Sequence, residues 1–237
     1  MASITIDPLA IVTFQRLSGI RAFIDLLDAS LPEVELRQRE KLDRLAKQQG
    51  LDVGDYSIES QILDERFGHW MPRLSAYSII MLLQSVVEAQ LFACAERVSQ
   101  EKASVFSPRD LLASRGPTME VGVLYLRKAG GVDVTIDPAW TRLKDLQNLR
   151  DIIVHRSGTR GESESHQKTF DGLIERYAPR LSLAEQAHWL YGEIWVSLIL
   201  CREFAEDVER FFARTLKAIG VEEEVIPREY RVEGGAA

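Results

Sequence analysis

The chain has 237 residues, 46% of them hydrophobic and 27% charged, with a net charge of −7. This is globular composition, long enough for one sizeable core with appendages. The acidic balance argues against a broad nucleic-acid-binding surface, because such binding draws its strength from neutralised phosphates. A small basic cleft stays open, with Lys144, Arg150, Arg156 and Arg160 to line it.

Met1–Phe14 has no basic region before its apolar stretch, so no signal peptide is expected. Asp7-Pro8 reads as a turn. Residues 20–49 read as a long charged helix ended by Gly50, and 51–71 as a connector with a short helix near Ile58–Arg66. The next helix starts near Pro72. Its apolar positions Ile80, Leu83, Val87, Leu91, Cys94 and Val98 step by three and four, and Ile79, Leu82, Val86 and Phe92 make the other side apolar too. A helix apolar all round is usually central in a bundle. Gln84, Ser85, Glu88 and Gln90 interrupt it, and a membrane span needs about 20 mainly apolar residues, so it reads as a core helix and no membrane partner is expected.

Ser107-Pro108 opens a short helix to about Ala113, and Pro117 opens another that stops at Gly130-Gly131. Val132–Ile136 reads as a short extended piece. Asp137-Pro138 starts a further helix that Gly158 is placed to close. The polar run 159–169 reads as a mobile loop. Ser182-Leu183-Ala184-Glu185 is a capping box for the last long helix, whose stripe is Tyr191, Ile194, Leu198, Cys201, Ala205, Val208 and Phe212. The expected fold is all-α, a four-helix-type bundle over 71–220 with an N-terminal helical extension, 1–70, and a flexible tail, 221–237. The two cysteines, Cys94 and Cys201, fall in apolar helical stripes and suggest no disulfide framework, which fits a reducing cytoplasm.

Chemistry concentrates in Arg150-Asp151-Ile152-Ile153-Val154-His155, near the end of the helix that Asp137 opens. Arginine is a permanent cation suited to phosphate, and histidine moves a proton at neutral pH. The hexapeptide resembles the signature of the HEPN superfamily (higher eukaryotes and prokaryotes nucleotide-binding), Arg-[Asn/Asp/His]-x-x-x-His. Arg150, Asp151 and His155 match it position by position, and Leu146-x-x-Leu149 and Val154-His155-x-x-Gly158 look like its usual surroundings. The resemblance is clearest over about 138–158, extends loosely to 72–217, and does not obviously cover 1–70.

That resemblance implies a small helical bundle that commonly dimerises. It implies a metal-independent endoribonuclease of the kind found in toxin–antitoxin, phage-defence and RNA-processing systems, or a catalytically inactive relative that binds RNA or a partner protein. The implied partners are RNA, a second copy of the chain and, for a toxin, a nucleotidyltransferase-like antitoxin. No cofactor or metal is implied.

At 100° per residue, Asp151 and His155 share a helix face with Lys144 and Asn148, which lets Asp151 hold one ring nitrogen and fix the tautomer. Arg150 projects roughly 140° from His155, among Leu143, Leu146, Ile153 and Val154. A charge there is expensive unless paired, with Glu88 as a candidate structural partner. A two-fold dimer in which both motif helices meet would bring Arg150 and His155 together. His155 would then act as base or acid and Arg150 would stabilise the transition state, with Lys144, Asn148, Arg156 and Arg160 as substrate-binding candidates. The plain alternative is a helix ion-pair arginine and a histidine held at a helix C-terminus, where partial positive charge is favoured.

Glu185-x-x-His188 has di-iron spacing, but His69, His155 and His166 do not follow a glutamate by three, so no metal is expected. Trp189, Trp195, Phe204, Phe211 and Phe212 read as core or interface residues rather than a base-stacking platform.

Overall fold

Asp7 and Pro8 start a helix rather than a turn. In the computed structural model, which describes residues 7–103, 106–115, 118–184, 192–222 and 225–226, α1 runs Pro8–Gln49. Asp7 accepts the Ala10 N–H at 3.1 Å, and Pro8 sits in the first turn, where a missing donor is not needed. Gly50, at φ +64°, ends α1 as expected. Asp52 caps α2, Val53–Glu65. A π-helical turn, Arg66–Trp70, leads on into α3, Met71–Glu101. Ser107 and Asp110 cap α4, Pro108–Arg115. Helix α5, Thr118–Tyr125, passes through a π-turn to Gly131 at φ +73°.

Val134–Ile136 forms a 3-10 turn instead of an extended piece, because Asp133 accepts from both the Thr135 N–H and its hydroxyl. Helix α6, Trp140–Arg156, starts where Asp137 caps the Ala139 N–H at 2.8 Å. The expected loop after it contains a helix, α7, Glu164–Tyr177, capped by Ser163. Its stripe of Phe170, Leu173 and Tyr177 is buried, which is what holds the polar segment in order.

The last helix also starts elsewhere. β1, Leu181–Leu183, pairs antiparallel with β2, Ile194–Val196, and α8 covers Leu198–Ala218 with Ser197 as its cap. Leu181, Ile194 and Val196 are buried, a period of two rather than 3.6. Glu185, His188, Trp189 and Tyr191 lie outside the described residues. The fold is therefore all-α apart from this ribbon, among the described residues.

Two compact units make up the chain, and α1, α3, α6 and α8 each contribute to both. The first comprises Met1–Ile20, Met81–Asn148 and Glu203–Ala237. In it, Thr13 donates to Gln90 at 3.0 Å between α1 and α3, and Asp7 pairs with Arg97. Arg142 of α6 bonds Asp207 of α8 at 2.6 Å and lies over the Phe204 ring. Leu83, Val87, Leu91, Phe204, Val208, Phe211 and Phe212 are buried. Val221 and Ile226 are buried too, so the loose tail expected from 221 does not begin there; 227–237 lies outside the described residues.

The second unit comprises Arg21–Ile80 and Leu149–Arg202. Arg39 links α1 to Asp64 of α2 at 2.5 Å, above a small cluster of Leu42, Leu63 and Phe67. The predicted extension, 1–70, is thus shared between the two units. α3 is not sealed all round: Met81 and Leu82 are exposed on the side opposite Leu83 and Val87. The helical run Val53–Glu101 is long and apolar enough to cross a membrane by length and composition, and half of its most apolar window is buried.

If α7 is a packed helix, Phe170→Ala should cost about 3–5 kcal/mol, read as a lower urea midpoint with an unchanged slope. A change within about 0.5 kcal/mol, the surface range, would mean that the segment is a loop.

Candidate functional site

The end of α6 is built by a left-handed stop. Ser157 and Gly158 have φ of +50° and +84°. The Gly158 N–H bonds the Ile152 carbonyl at 3.0 Å, and the Thr159 N–H and hydroxyl bond the Arg156 carbonyl at 2.9 and 2.7 Å. These bonds take up two of the carbonyls at the helix end, those of Ile152 and Arg156. Gly158 has a second reason to be glycine, since a Cβ there would stand 2.2 Å from the Tyr77 hydroxyl. That hydroxyl donates to the Ile194 carbonyl at 2.9 Å, and the Ile194 N–H donates to the Gly158 carbonyl at 2.9 Å. Thr159 bridges Glu193.

Arg73 locks the same turn from α3. Its guanidinium is nearly buried, pairs with Glu193, donates to the Ser157 carbonyl at 3.3 Å and stacks 4.6 Å from the Tyr77 ring centre. A buried charge is tolerated only when paired in this way. Sequence reasoning missed Arg73, Tyr77 and Glu193. The one available signal was an arginine within an apolar helix, and nothing local names a partner 120 residues away.

On this support Arg150, Asp151 and His155 come together within one chain. Arg150 Nη1 donates to Asp151 Oδ1 at 2.8 Å and lies 3.4 Å from His155 Nε2. The side chains are 35%, 43% and 64% exposed, respectively, so the group faces solvent. The expected divergence of Arg150 and His155 does not hold at the side-chain tips. A helical wheel follows Cβ directions, whereas the long arginine stem carries its fork back to the histidine.

Asp151 also acts differently from expectation. Its Oδ1 is 4.0 Å from His155 Nε2, beyond a hydrogen bond, and it holds Arg150 instead. The carboxylate that the structure gives Arg150 is thus its own neighbour. Glu88 accepts from the Gln84 amide at 2.9 Å.

The other candidates are spread. Arg156 donates to the Arg160 carbonyl at 3.1 Å and lies against Gly161. Burial lowers its pKa, and the nearby Asp151 carboxylate works against that shift; an arginine stays charged regardless. Arg160 pairs with Asp171 of α7. Lys144 and Asn148 belong to the first unit. There Lys144 bonds Gln147 at 2.6 Å and stands 4.0 Å from Glu120, and Asn148 is half-buried.

Cys94 and Cys201 are buried, and burial pushes both thiols up to about 12, which leaves them un-ionised at neutral pH. Among the described residues no group of three or more His, Cys, Asp or Glu side chains converges as a metal site would require. No family model, curated protein or solved structure matches the chain.

The turn that carries the site gives a sharp test. Gly158→Ala should cost at least about 3 kcal/mol, combining about 1–2 for a left-handed alanine with displacement of Tyr77. In a Tyr77→Phe background the same change should cost less, with the ring Cζ still 3.2 Å from the new Cβ, and urea unfolding of the four proteins closes the cycle. Equal costs in both backgrounds would show that the hydroxyl does not occupy the space over Gly158.

Proposed function

We propose that the protein is a metal-independent endoribonuclease of HEPN type, working at Arg150 and His155, in the role of a toxin or defence effector. The observation that supports this most is the 3.4 Å approach of Arg150 Nη1 to His155 Nε2 on a solvent-facing helix end. A permanent cation and a group able to exchange a proton at neutral pH reach the same spot. RNA brings its own nucleophile, so those two groups cover most of what cleavage needs.

In that reaction a base takes the proton of the 2′-hydroxyl. O2′ attacks phosphorus, the bond from phosphorus to O5′ breaks, and an acid returns a proton to O5′. The products are a 2′,3′-cyclic phosphate and a free 5′-hydroxyl. Arg150 would bind the phosphoryl oxygens and hold the added negative charge of the crowded transition state. His155 would perform one of the two proton transfers. A second copy of the chain, meeting the first along α6, would supply a second His155 for the other. The acidic chain as a whole offers RNA little general attraction, so recognition would be local to this helix end.

Expression of the wild type in a bacterial host should slow growth and yield RNA fragments ending in cyclic phosphate. His155→Ala and Arg150→Ala should each lose cleavage by about 10²-fold or more. A wild type that cleaves no cellular RNA would overturn the nuclease reading and favour a binding protein. Active alanine variants would move the site elsewhere.

A further inference from the structure

The carboxylate of Asp151 stands where a phosphate would have to bind. Its Oδ1 is 2.8 Å from Arg150 Nη1 and 4.0 Å from His155 Nε2, and those two nitrogens are 3.4 Å apart. The three atoms form a small triangle of one arginine donor, one histidine nitrogen and one anionic oxygen. Guanidinium binds carboxylate and phosphate oxygens by the same charge-assisted hydrogen bonds, so the two anions compete for one donor.

We propose that Asp151 is a built-in competitor for the anion site of Arg150 and His155. The side chain fills the site while no phosphate is present and swings out when one arrives. Asp151 is therefore a positioning residue that sets how readily the site accepts a phosphate, not a group that reacts. The pair it makes is partly exposed and easily exchanged: Arg150 is 35% and Asp151 43% exposed. Pairs of that kind are weak in water, so release needs no unfolding of α6. The backbone at this end of the helix does not have to move, since Gly158 and Thr159 hold the Ile152 and Arg156 carbonyls independently of Asp151.

The gate has a consequence for ligand choice. A lone phosphate must displace Asp151 for one set of contacts. A polynucleotide adds contacts from its neighbouring phosphates and displaces it more easily. Asp151 therefore biases the site against free phosphate and mononucleotides and towards chains. This part rests on the ribonuclease reading, whereas the competition for Arg150 does not.

The test is a titration with inorganic phosphate, followed by the His155 ring signals in NMR, at ionic strength held constant with chloride. Asp151→Asn keeps the shape and removes the charge. It should bind phosphate about two- to five-fold more tightly than wild type, the range set by losing one partly exposed ion pair. Adding Arg150→Ala should abolish that gain. On RNA, Asp151→Asn should lower KM, a change that loss of a merely structural residue would not produce. Phosphate binding that is equal or weaker in Asp151→Asn overturns the proposal, as does a gain that survives Arg150→Ala. Tighter phosphate binding together with no RNA cleavage by wild type upholds the competitor and overturns the nuclease.

Discussion

The second unit is organised around a helix that is forced to stop. Past Arg156 the backbone turns left-handed at Ser157 and Gly158, and the Tyr77 hydroxyl occupies the space over Gly158. Arg73 and Glu193 tie the same turn to α3 and to the residues that lead into β2. These contacts come from segments far apart in sequence, and they converge on one turn whose Ser157 and Gly158 carbonyls accept from Arg73 and Ile194. The result is a rigid end to α6, with Arg150, Asp151 and His155 displayed within the last two turns before it. A loop would present the same side chains with their relative positions averaged, and a 3.4 Å approach between two of them would have little meaning.

What was legible beforehand follows the reach of each signal. α6 was readable because its cap, Asp137, and its stop, Gly158, act through the nearest few residues. α7 was hidden because its first turn, Glu164 to Gln167, is wholly polar and its buried stripe starts only at Phe170. Ile194 misled in the opposite way. It falls in step with the α8 residues Leu198, Cys201, Ala205 and Val208, so a short buried strand passes for the start of a helix. Asp7-Pro8 is ambiguous between turn and helix start, and the hydrogen bond to Ala10 resolves it. Within the site, residue identities were readable and their geometry was not. Periodicity fixes Cβ directions, and an arginine tip reaches well beyond them.

The charge pattern gives the exposed triad its significance. Arg37, Arg39, Arg97, Arg109, Arg142, Arg202, Arg210 and Arg214 are each held by a carboxylate on another turn or another helix. Arg160 is held likewise by Asp171. Such pairs add little stability when exposed, but they cancel the positive field that would attract a polyanion at those places. Arg150 differs in having its carboxylate next door in the chain. Adjacent residues on a helix point apart, so this pair is maintained by the two side chains alone and opens without cost to packing.

The approach of Arg150 to His155 also changes the argument for a second copy of the chain. Divergence of the two on the helix made a dimer attractive as the means of bringing them together, and that reason is gone, because one chain already does so. The remaining reason is protonic. Cleavage by 2′-hydroxyl attack moves two protons at two oxygens on opposite sides of phosphorus, and one imidazole cannot stand beside both at once. Either water serves one side, or a second His155 does. A two-fold axis close to the last turns of α6 would set two imidazoles across one phosphate, with two arginines to share its charge. A dimer, if the protein works as proposed, would answer the proton inventory rather than side-chain direction. It would matter more for kcat than for the binding of RNA.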